Sequence, residues 1–187
     1  MPLFLASTSP RRADLLKQIA QTFTQTEVTI DETPYQHENA LHYVERMAQE
    51  KAKQGFIQLE QQQAYVLSAD TIIELDGEIL GKPKDQADSF SMLKRLSNRS
   101  HWVHTAICLV SQDVQQSCVV SSKVEFRALT DEEIKLYWQT GEPCDKAGSY
   151  AIQGLAGSFV QRIDGSYSAI VGLPLAETLL MLRQQAL

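Results

Sequence analysis

The stretch Leu5-Ala-Ser-Thr-Ser-Pro-Arg-Arg12 links a short apolar run to an amphipathic segment and decides how the fold begins. The run from Pro2 to Ala6 predicts a strand that enters a core. Ser9 is typical of a helix N-cap, and Pro10 is typical of the first helical residue, where a missing N–H group costs nothing. We therefore expect a strand that turns directly into a helix.

Two arginines at the start of this helix point to an anion. Arg11 and Arg12 fall in the first turn, where the helix macrodipole already concentrates positive charge, so each costs about 0.3–1 kcal/mol relative to a neutral side chain. Unpaired backbone N–H groups, serine hydroxyls and two guanidinium groups that converge there form a strong anion site, and a bound phosphate turns the cost into a gain. The alternative is a pair of solvated surface arginines.

The composition favours a soluble, cytoplasmic protein of one domain over residues 1–187, or of two lobes that share a core. Hydrophobic residues make up 43% of the chain and charged residues 21%, as in ordinary globular proteins. No apolar run approaches the roughly 18 residues that span a membrane, and we expect no signal peptide and no membrane partner. The three cysteines lack metal-ligand spacing and are expected to be reduced thiols. The net charge of −6 argues against a nucleic-acid polymer as partner, but not against a small phosphorylated ligand.

Strand and helix patterns alternate along the chain and predict a mixed α/β unit. Asp85 and Thr130 are expected to cap helices, and Thr130 does so through a capping box with Glu133. The predicted strands are 23–30, 65–73, 101–111 and 117–129, and the predicted helices include 39–59, 85–96 and the segment from Pro174 onward.

Asp76-Gly77 lies between two apolar runs and is the strongest short-range signal of a β-hairpin in the chain. A two-residue loop there places Thr71 opposite Lys82 and Asp70 opposite Pro83. Because cross-strand neighbours lie about 5 Å apart, we expect Asp70, Thr71 and Lys82 to share one neighbourhood. Strict pleating turns Asp70 and Lys82 to opposite faces, so the ladder is expected to end or bulge near Asp70.

Two carboxylates and an amide are candidates for chemistry. Asp70 follows an apolar segment, where it is either a strand-end aspartate that backbone amides satisfy or a carboxylate that binds a metal or takes a proton from water. Paired with Asp70, Glu32 could complete an oxygen-ligand site for Mg²⁺ or Mn²⁺. Lys51 by itself is typical of a surface charge. Gln153 lies beside glycines that permit close approach of a flat ligand.

Six motifs occur in order along the chain: Leu5 to Arg12, Glu50-Lys-Ala52, Ser68-Ala-Asp-Thr-Ile-Ile73, Gly81-Lys-Pro83, Asp145-Lys-Ala-Gly-Ser-Tyr-Ala-Ile-Gln-Gly154 and Asp164-Gly-Ser-Tyr167. Together they resemble the Maf (septum-formation-inhibitor-like) family of nucleotide pyrophosphatases, and within it the dTTP/UTP branch, over nearly the whole chain. The chain departs from the pattern at Ser68, where many relatives carry glycine.

The resemblance implies an elongated α/β fold with a mixed sheet and two lobes around a nucleotide cleft, related to the inosine-triphosphate pyrophosphatases. It implies hydrolysis of dTTP and UTP between the α and β phosphates, which yields the monophosphate and pyrophosphate. The reaction would need a divalent metal cation, Mg²⁺ or Mn²⁺. The family also allows a homodimer.

By the same resemblance, Asp70 is the proton acceptor for the attacking water, and Glu32 and Asp70 hold the metal. A glutamine amide offers one donor and one acceptor, which suits the N3–H and carbonyl edge of uracil or thymine. The residues implied to bind the triphosphate are Ser7, Arg11, Arg12, Lys51 and Lys82, and those at positions that set the base preference are Arg12, Thr71 and Gln153.

Two other functions stay open on the sequence alone. One is a nucleotide-binding regulator of cell division that needs no turnover, and the other is a pyrophosphatase for a methylated guanine nucleotide. Asp70, Glu32 and Lys82 favour catalysis over regulation, since a sensor needs the cations but not the base.

Overall fold

The computed structural model describes residues 1–20, 22–59 and 63–187. Strands and helices alternate through most of this part of the chain, with three short 3-10 segments within residues 142–159. The strands are β1 (Leu3–Ala6), β2 (Thr24–Thr26), β3 (Tyr65–Leu75), β4 (Glu78–Leu80), β5 (Ser100–Val110), β6 (Gln115–Phe126) and β7 (Val160–Asp164). The helices are α1 (Pro10–Leu16), α2 (Ala40–Gln58), α3 (Gln86–Leu96), α4 (Asp131–Gln139), α5 (Tyr167–Val171) and α6 (Leu175–Gln184).

Strands β1 to β7 form one sheet in the order β2-β1-β3-β5-β6-β7, and β4 pairs with β3. Strand β1 runs parallel to β2 and β3, whereas the pairs β3–β4 and β6–β7 are antiparallel. The predicted α/β fold with a mixed sheet is therefore confirmed. Among the described residues, no helix combines the length and the apolar character that crossing a membrane requires.

The chain folds into two compact units. The first comprises Met1–Asp70, Thr105–Val120 and Gly172–Leu187, and the second comprises Thr71–His104 and Ser121–Val171. The assignment of residues 1–187 to one domain stays a prediction.

In the first unit, helix α2 packs closely on strands β1 and β3. A Cβ atom at Gly55 would lie 3.0 Å from Val66 and 3.2 Å from Ala6, so the helix can come this near only because residue 55 is glycine. The hydroxyl of the fully buried Ser68 donates a hydrogen bond to the carbonyl of Ala48 in α2. The departure of the chain from its motif pattern at Ser68 thus adds a bond between β3 and α2.

Aromatic rings fill much of the core of the second unit. Phe126 and Tyr150 meet edge to face with their centroids 4.8 Å apart, and Tyr137 and Phe159 meet in the same way at 5.1 Å. His101 joins this cluster, with Nε2 2.7 Å from the Tyr150 hydroxyl, and its burial lowers its pKa to about 4. The imidazole is therefore neutral at pH 7 and packs as part of the aromatic core.

Most of the predicted elements are confirmed, because local chemistry specifies them. Asp85 caps α3 by accepting a hydrogen bond from a backbone N–H group one turn on, and Thr130 and Glu133 form the reciprocal capping box of α4. The hairpin has the predicted register, with Leu75 opposite Glu78.

The second strand is shorter than predicted. The pattern indicated a strand over 23–30, but β2 covers only Thr24–Thr26. Its partner β1 ends at Ala6, which pairs with Thr26, and the chain turns away at Ser7, so residues 27–30 have no β1 residue to pair with.

Gly165 in the Asp164-Gly-Ser-Tyr167 motif has a steric role. Its φ is 131°, and a Cβ atom there would lie 2.6 Å from Oγ and 2.9 Å from Cα of Ser122. The Ser122 hydroxyl accepts a hydrogen bond from the backbone N–H of Ser166 at 2.9 Å, so it is fixed in place. Position 165 therefore requires glycine for packing.

We expect Gly165→Ala to lower the free energy of unfolding by about 3 kcal/mol or more, because backbone strain and the clash with Ser122 add. Gly77→Ala is the matched control, since Gly77 also has a positive φ of 82° but open space around its missing Cβ. The control should cost only about 1–2 kcal/mol. Urea unfolding followed by circular dichroism measures both, and equal costs would contradict the steric explanation.

Candidate functional site

Ser7 organises the turn between β1 and α1. Its hydroxyl oxygen accepts hydrogen bonds from the backbone N–H of Ser9 at 3.2 Å and from Nη1 of Arg12 at 3.4 Å. Ser9 is the N-cap of α1, as predicted, but its own side chain makes no capping bond. Ser7 thus holds the Ser9 N–H group and one nitrogen of the Arg12 guanidinium.

Hydrogen bonds hold Arg12 in place, so the alternative in which it is a solvated surface arginine is wrong. Its Nε donates a hydrogen bond to the carbonyl of Gly172 at 3.0 Å. Burial lowers the pKa of Arg12 below its ordinary value, the negative charge of Asp70 raises it, and the neighbouring Arg11 lowers it again. Arg11 is itself half-buried. The guanidinium of Arg12 therefore lies within the electrostatic field of a carboxylate and a second cation.

Lys51 joins the two proposed metal ligands. Its Nζ lies 2.7 Å from Oε1 of Glu32 and 2.7 Å from Oδ1 of Asp70. The side chains of Lys51 and Asp70 are each 14% exposed, whereas that of Glu32 is 53% exposed. The interpretation of Lys51 as a surface charge is wrong, because the packing of α2 on the sheet turns this lysine inward.

Asp70 lies within strand β3, so the interpretation as a strand-end aspartate is also wrong. The pairing of β1 with β3 ends at Ser68, and the pairing of β4 with β3 begins at Ile73. The hairpin ladder, which was expected to end or bulge near Asp70, ends at the pair Ile73–Leu80, so Asp70 lies in a stretch of β3 between the pairings with β1 and with β4. The carboxylate meets the ammonium of Lys51 beyond the end of the β1 pairing.

Two residues of α2, which the sequence analysis missed, hold the segment that carries Glu32. The hydroxyl of Tyr43 donates a hydrogen bond to the carbonyl of Glu32 at 2.8 Å, and Nη2 of Arg46 donates one to the carbonyl of Thr33 at 3.1 Å. Successive carbonyls are thus pinned to one helix. The only sign of this pair in the sequence was that Arg46 follows Tyr43 by three positions, which puts both side chains on one face of the helix.

Arg46 is the centre of this attachment. Its Nε and Nη2 each lie 2.7 Å from a carboxylate oxygen of Glu38, and its guanidinium stacks 3.8 Å from the ring centroid of Tyr35. The hydrogen bond from Arg46 lowers the pKa of Glu38. Burial raises the pKa of Tyr43 to about 12, so its hydroxyl remains a donor at neutral pH.

The predicted pairing of Lys82 with Thr71 is wrong. Strand β4 ends at Leu80, and the carbonyl of Gly81 accepts a hydrogen bond from the backbone N–H of Gly148 at 3.0 Å and so leaves the ladder. Lys82 is exposed, and Thr71 is half-buried in β3. The hairpin register does not continue past Leu80, because a segment distant in the sequence forms a hydrogen bond with the Gly81 carbonyl.

Gln153 lies in an exposed turn, which a hydrogen bond of 3.0 Å from the Gly154 N–H to the Ala151 carbonyl closes. The carboxylate of Glu142 accepts a hydrogen bond from the backbone N–H of Leu155 at 3.0 Å. A Cβ atom on Gly154 would overlap this carboxylate, so the glycine makes room for Glu142. Glu142, which the sequence analysis missed, therefore fixes the chain next to Gln153.

The predicted site residues divide between the two units. Ser7, Arg11, Arg12, Glu32, Lys51 and Asp70 belong to the first, and Thr71, Lys82 and Gln153 belong to the second. In the part of the chain that the structure describes, no group of three or more His, Cys, Asp or Glu residues could hold a metal ion. Two carboxylates meet at Lys51. One or two carboxylates is the usual number for a magnesium ion that also binds substrate phosphates.

Comparison with known proteins identifies the class. A family model described as Maf-like protein matches residues 2–185, so the chain belongs to the Maf family, as its motifs predicted. The chain is 52% identical to the dTTP/UTP pyrophosphatase of Vibrio vulnificus strain YJ016 over 94% of each chain. It is 47% identical to the dTTP/UTP pyrophosphatase of Aliivibrio fischeri over 97% of each chain. Among solved structures, the Ham1 protein of Staphylococcus aureus is similar with a TM-score of 0.49 and 18% identity, over 70% of this chain and 73% of that one.

We expect Arg46→Lys to loosen the segment that carries Glu32, because one ammonium cannot replace the two-pronged contact with Glu38 and also reach Thr33. The free energy of unfolding should fall by about 1–3 kcal/mol. Hydrogen exchange measured by mass spectrometry should become faster in peptides that cover residues 31–38. Arg162→Lys on the exposed face of β7 is the control, and equal exchange in the two variants would contradict the role of Arg46.

Proposed function

We propose that this chain hydrolyses nucleoside triphosphates, with dTTP and UTP as preferred substrates, to the monophosphate and pyrophosphate. The observation that carries the proposal is the meeting of Glu32 and Asp70 at Lys51, within the field of Arg12. Two carboxylates that can serve a metal and a water molecule thus lie beside cations that can bind phosphate. Membership of the Maf family and the names of the relatives support the same reaction.

Glu32 and Asp70 fit a hard divalent cation such as Mg²⁺ or Mn²⁺, because both offer carboxylate oxygens within reach of a single atom. A bound ion would supply positive charge to the phosphoryl oxygens of the substrate. Tyr43 and Arg46 hold the backbone of Glu32 and of the residue after it, so the Glu32 carboxylate extends from a fixed segment.

Asp70 is proposed as the proton acceptor. The oxygen of the attacking water bonds to the α phosphorus, and the bond from that phosphorus to the oxygen bridging the β phosphate breaks. The electron pair of the broken bond leaves with pyrophosphate, and the proton of the water goes to the Asp70 carboxylate. The groups proposed to bind the triphosphate and to stabilise the charge on the leaving pyrophosphate are Ser7, Arg11, Arg12, Lys51 and Lys82.

Arg12, Thr71 and Gln153 are proposed to set the base preference. The Gln153 amide can accept a hydrogen bond from N3–H and donate one to the adjacent carbonyl of uracil or thymine. Cytosine presents the opposite pattern at N3, which carries no hydrogen, and at C4, which carries an amino group in place of the carbonyl. An amide held in one orientation therefore favours UTP over CTP, and the attachment of the next residues to Glu142 supports such an orientation.

Asp70→Asn should lower kcat by about 10²–10⁴, because a positioned base is lost, while nucleotide binding persists. Release of pyrophosphate from a panel of dTTP, UTP, CTP, ATP, GTP and a methylated guanine nucleotide measures turnover, and calorimetry measures binding. Asp113→Asn at an exposed hairpin position is the control and should match the wild type. More than about a tenth of wild-type kcat in Asp70→Asn would exclude Asp70 as the base. Binding without turnover in the wild type would favour a nucleotide sensor.

Gln153→Ala should lower the ratio of kcat/KM for UTP to that for CTP by about tenfold, since one unpaired polar group costs about 1–3 kcal/mol. Steady-state kinetics with both nucleotides measures the ratio. Gln161→Ala, an exposed glutamine on β7, is the matched control and should leave the ratio unchanged. If the wild type hydrolyses UTP and CTP equally well, Gln153 does not read the base.

A further inference from the structure

The ammonium group of Lys51 occupies the space between the two proposed metal ligands. It lies 2.7 Å from an oxygen of Glu32 and 2.7 Å from an oxygen of Asp70. Because the side chains of Lys51 and Asp70 are each only 14% exposed, water screens this contact much less than it screens a surface ion pair. The two carboxylates are thus already engaged by a cation of the protein itself.

A divalent cation and this ammonium need the same carboxylate oxygens. The positive charge of Lys51 repels a divalent cation that binds the same oxygens, and so lowers the affinity of the site for that cation. With Lys51 in place, an incoming ion meets two carboxylates whose charge is partly neutralised, and a positive charge beside them. Arg12 adds a second positive charge to the same field.

Within this cluster the lysine side chain is the part that can move. The backbone of α2 around Lys51 is fixed, since Ala48 and Ala52 are fully buried and Gly55 packs against the sheet. The backbone of Glu32 is pinned to the same helix. The lysine side chain, in contrast, is a flexible four-carbon stem with three rotatable donors, and it can exchange one anionic partner for another without any change of fold.

We propose that Lys51 is a displaceable counter-ion, which competes with the divalent cation for Glu32 and Asp70 in the nucleotide-free protein. This inference rests on the proposed function, because the oxygens of the triphosphate are the acceptors to which the ammonium moves when substrate binds. Triphosphate binding then frees the carboxylates for the cation, and cation binding frees Lys51 for the phosphates. The two ligands therefore bind with positive, reciprocal coupling.

The test measures the affinity of the nucleotide-free protein for Mn²⁺ by electron paramagnetic resonance of the free ion at low ionic strength. Lys51→Gln removes the charge but keeps a hydrogen-bond donor, and it should bind Mn²⁺ about tenfold more tightly than the wild type. Lys51→Met removes the donor as well and should show the same change. Lys53→Gln, at an exposed lysine on α2, is the matched control and should stay within about twofold of the wild type. Asp70→Asn should weaken binding.

Mn²⁺ binding by both Lys51 variants that equals or falls below that of the wild type would overturn the inference, provided that circular dichroism shows both variants to be folded. If Asp70→Asn weakens binding in that same experiment, the metal site stands and only the competition fails. This readout needs no turnover, so it is separate from the release of pyrophosphate that tests the proposed function. Tighter binding in Lys53→Gln as well would also overturn the inference, because the effect would then come from net charge alone.

Discussion

Helix α2 can lie close against the sheet of the first unit because residue 55 has no side chain. Val66 of β3 lies 3.0 Å from the place where a Cβ atom would be, so a larger residue would force the helix outward. The buried hydroxyl of Ser68 adds a hydrogen bond across the same contact. Lys51 lies one helical turn before Gly55, and Asp70 lies two residues after Ser68. The close packing of helix and strand therefore sets the distance between the ammonium and the carboxylate.

The charges of this region show why the net charge of the chain says little about its ligand. The chain carries a net charge of −6, yet Arg12 and Lys51 interact with the Glu32 and Asp70 carboxylates, and Arg11 interacts with Arg12. Cations that lie beside carboxylates can bind a polyanion, while the carboxylates supply oxygens for a metal and a proton. The net charge of the whole chain does not reveal a site that combines both signs of charge.

How much the sequence predicts depends on how far apart the interacting groups lie in the chain. The capping box at Thr130 and the register of the hairpin follow from neighbouring residues, and both were predictable. Lys51 could be placed only after the orientation of α2 was known, since its sequence surroundings are those of a surface lysine. The contacts of Arg46 with the preceding loop, and the contact of Gly148 that displaces Lys82 from the ladder, join segments whose approach no local pattern encodes. The motifs nevertheless indicated the right family. Two of the long-range contacts, Lys51 with Asp70 and Gly148 with Gly81, join residues of different motifs.

The attachment of the Glu32 segment to α2 has a mechanical consequence. Tyr43 and Arg46 bond that segment to the helix, and Lys51 is part of the helix, so a displacement of α2 carries the Glu32 backbone and the Lys51 backbone together. Asp70 belongs to β3 and does not move with the helix. A change in the separation of helix and sheet would therefore move the backbones of Glu32 and Lys51 as one body relative to Asp70.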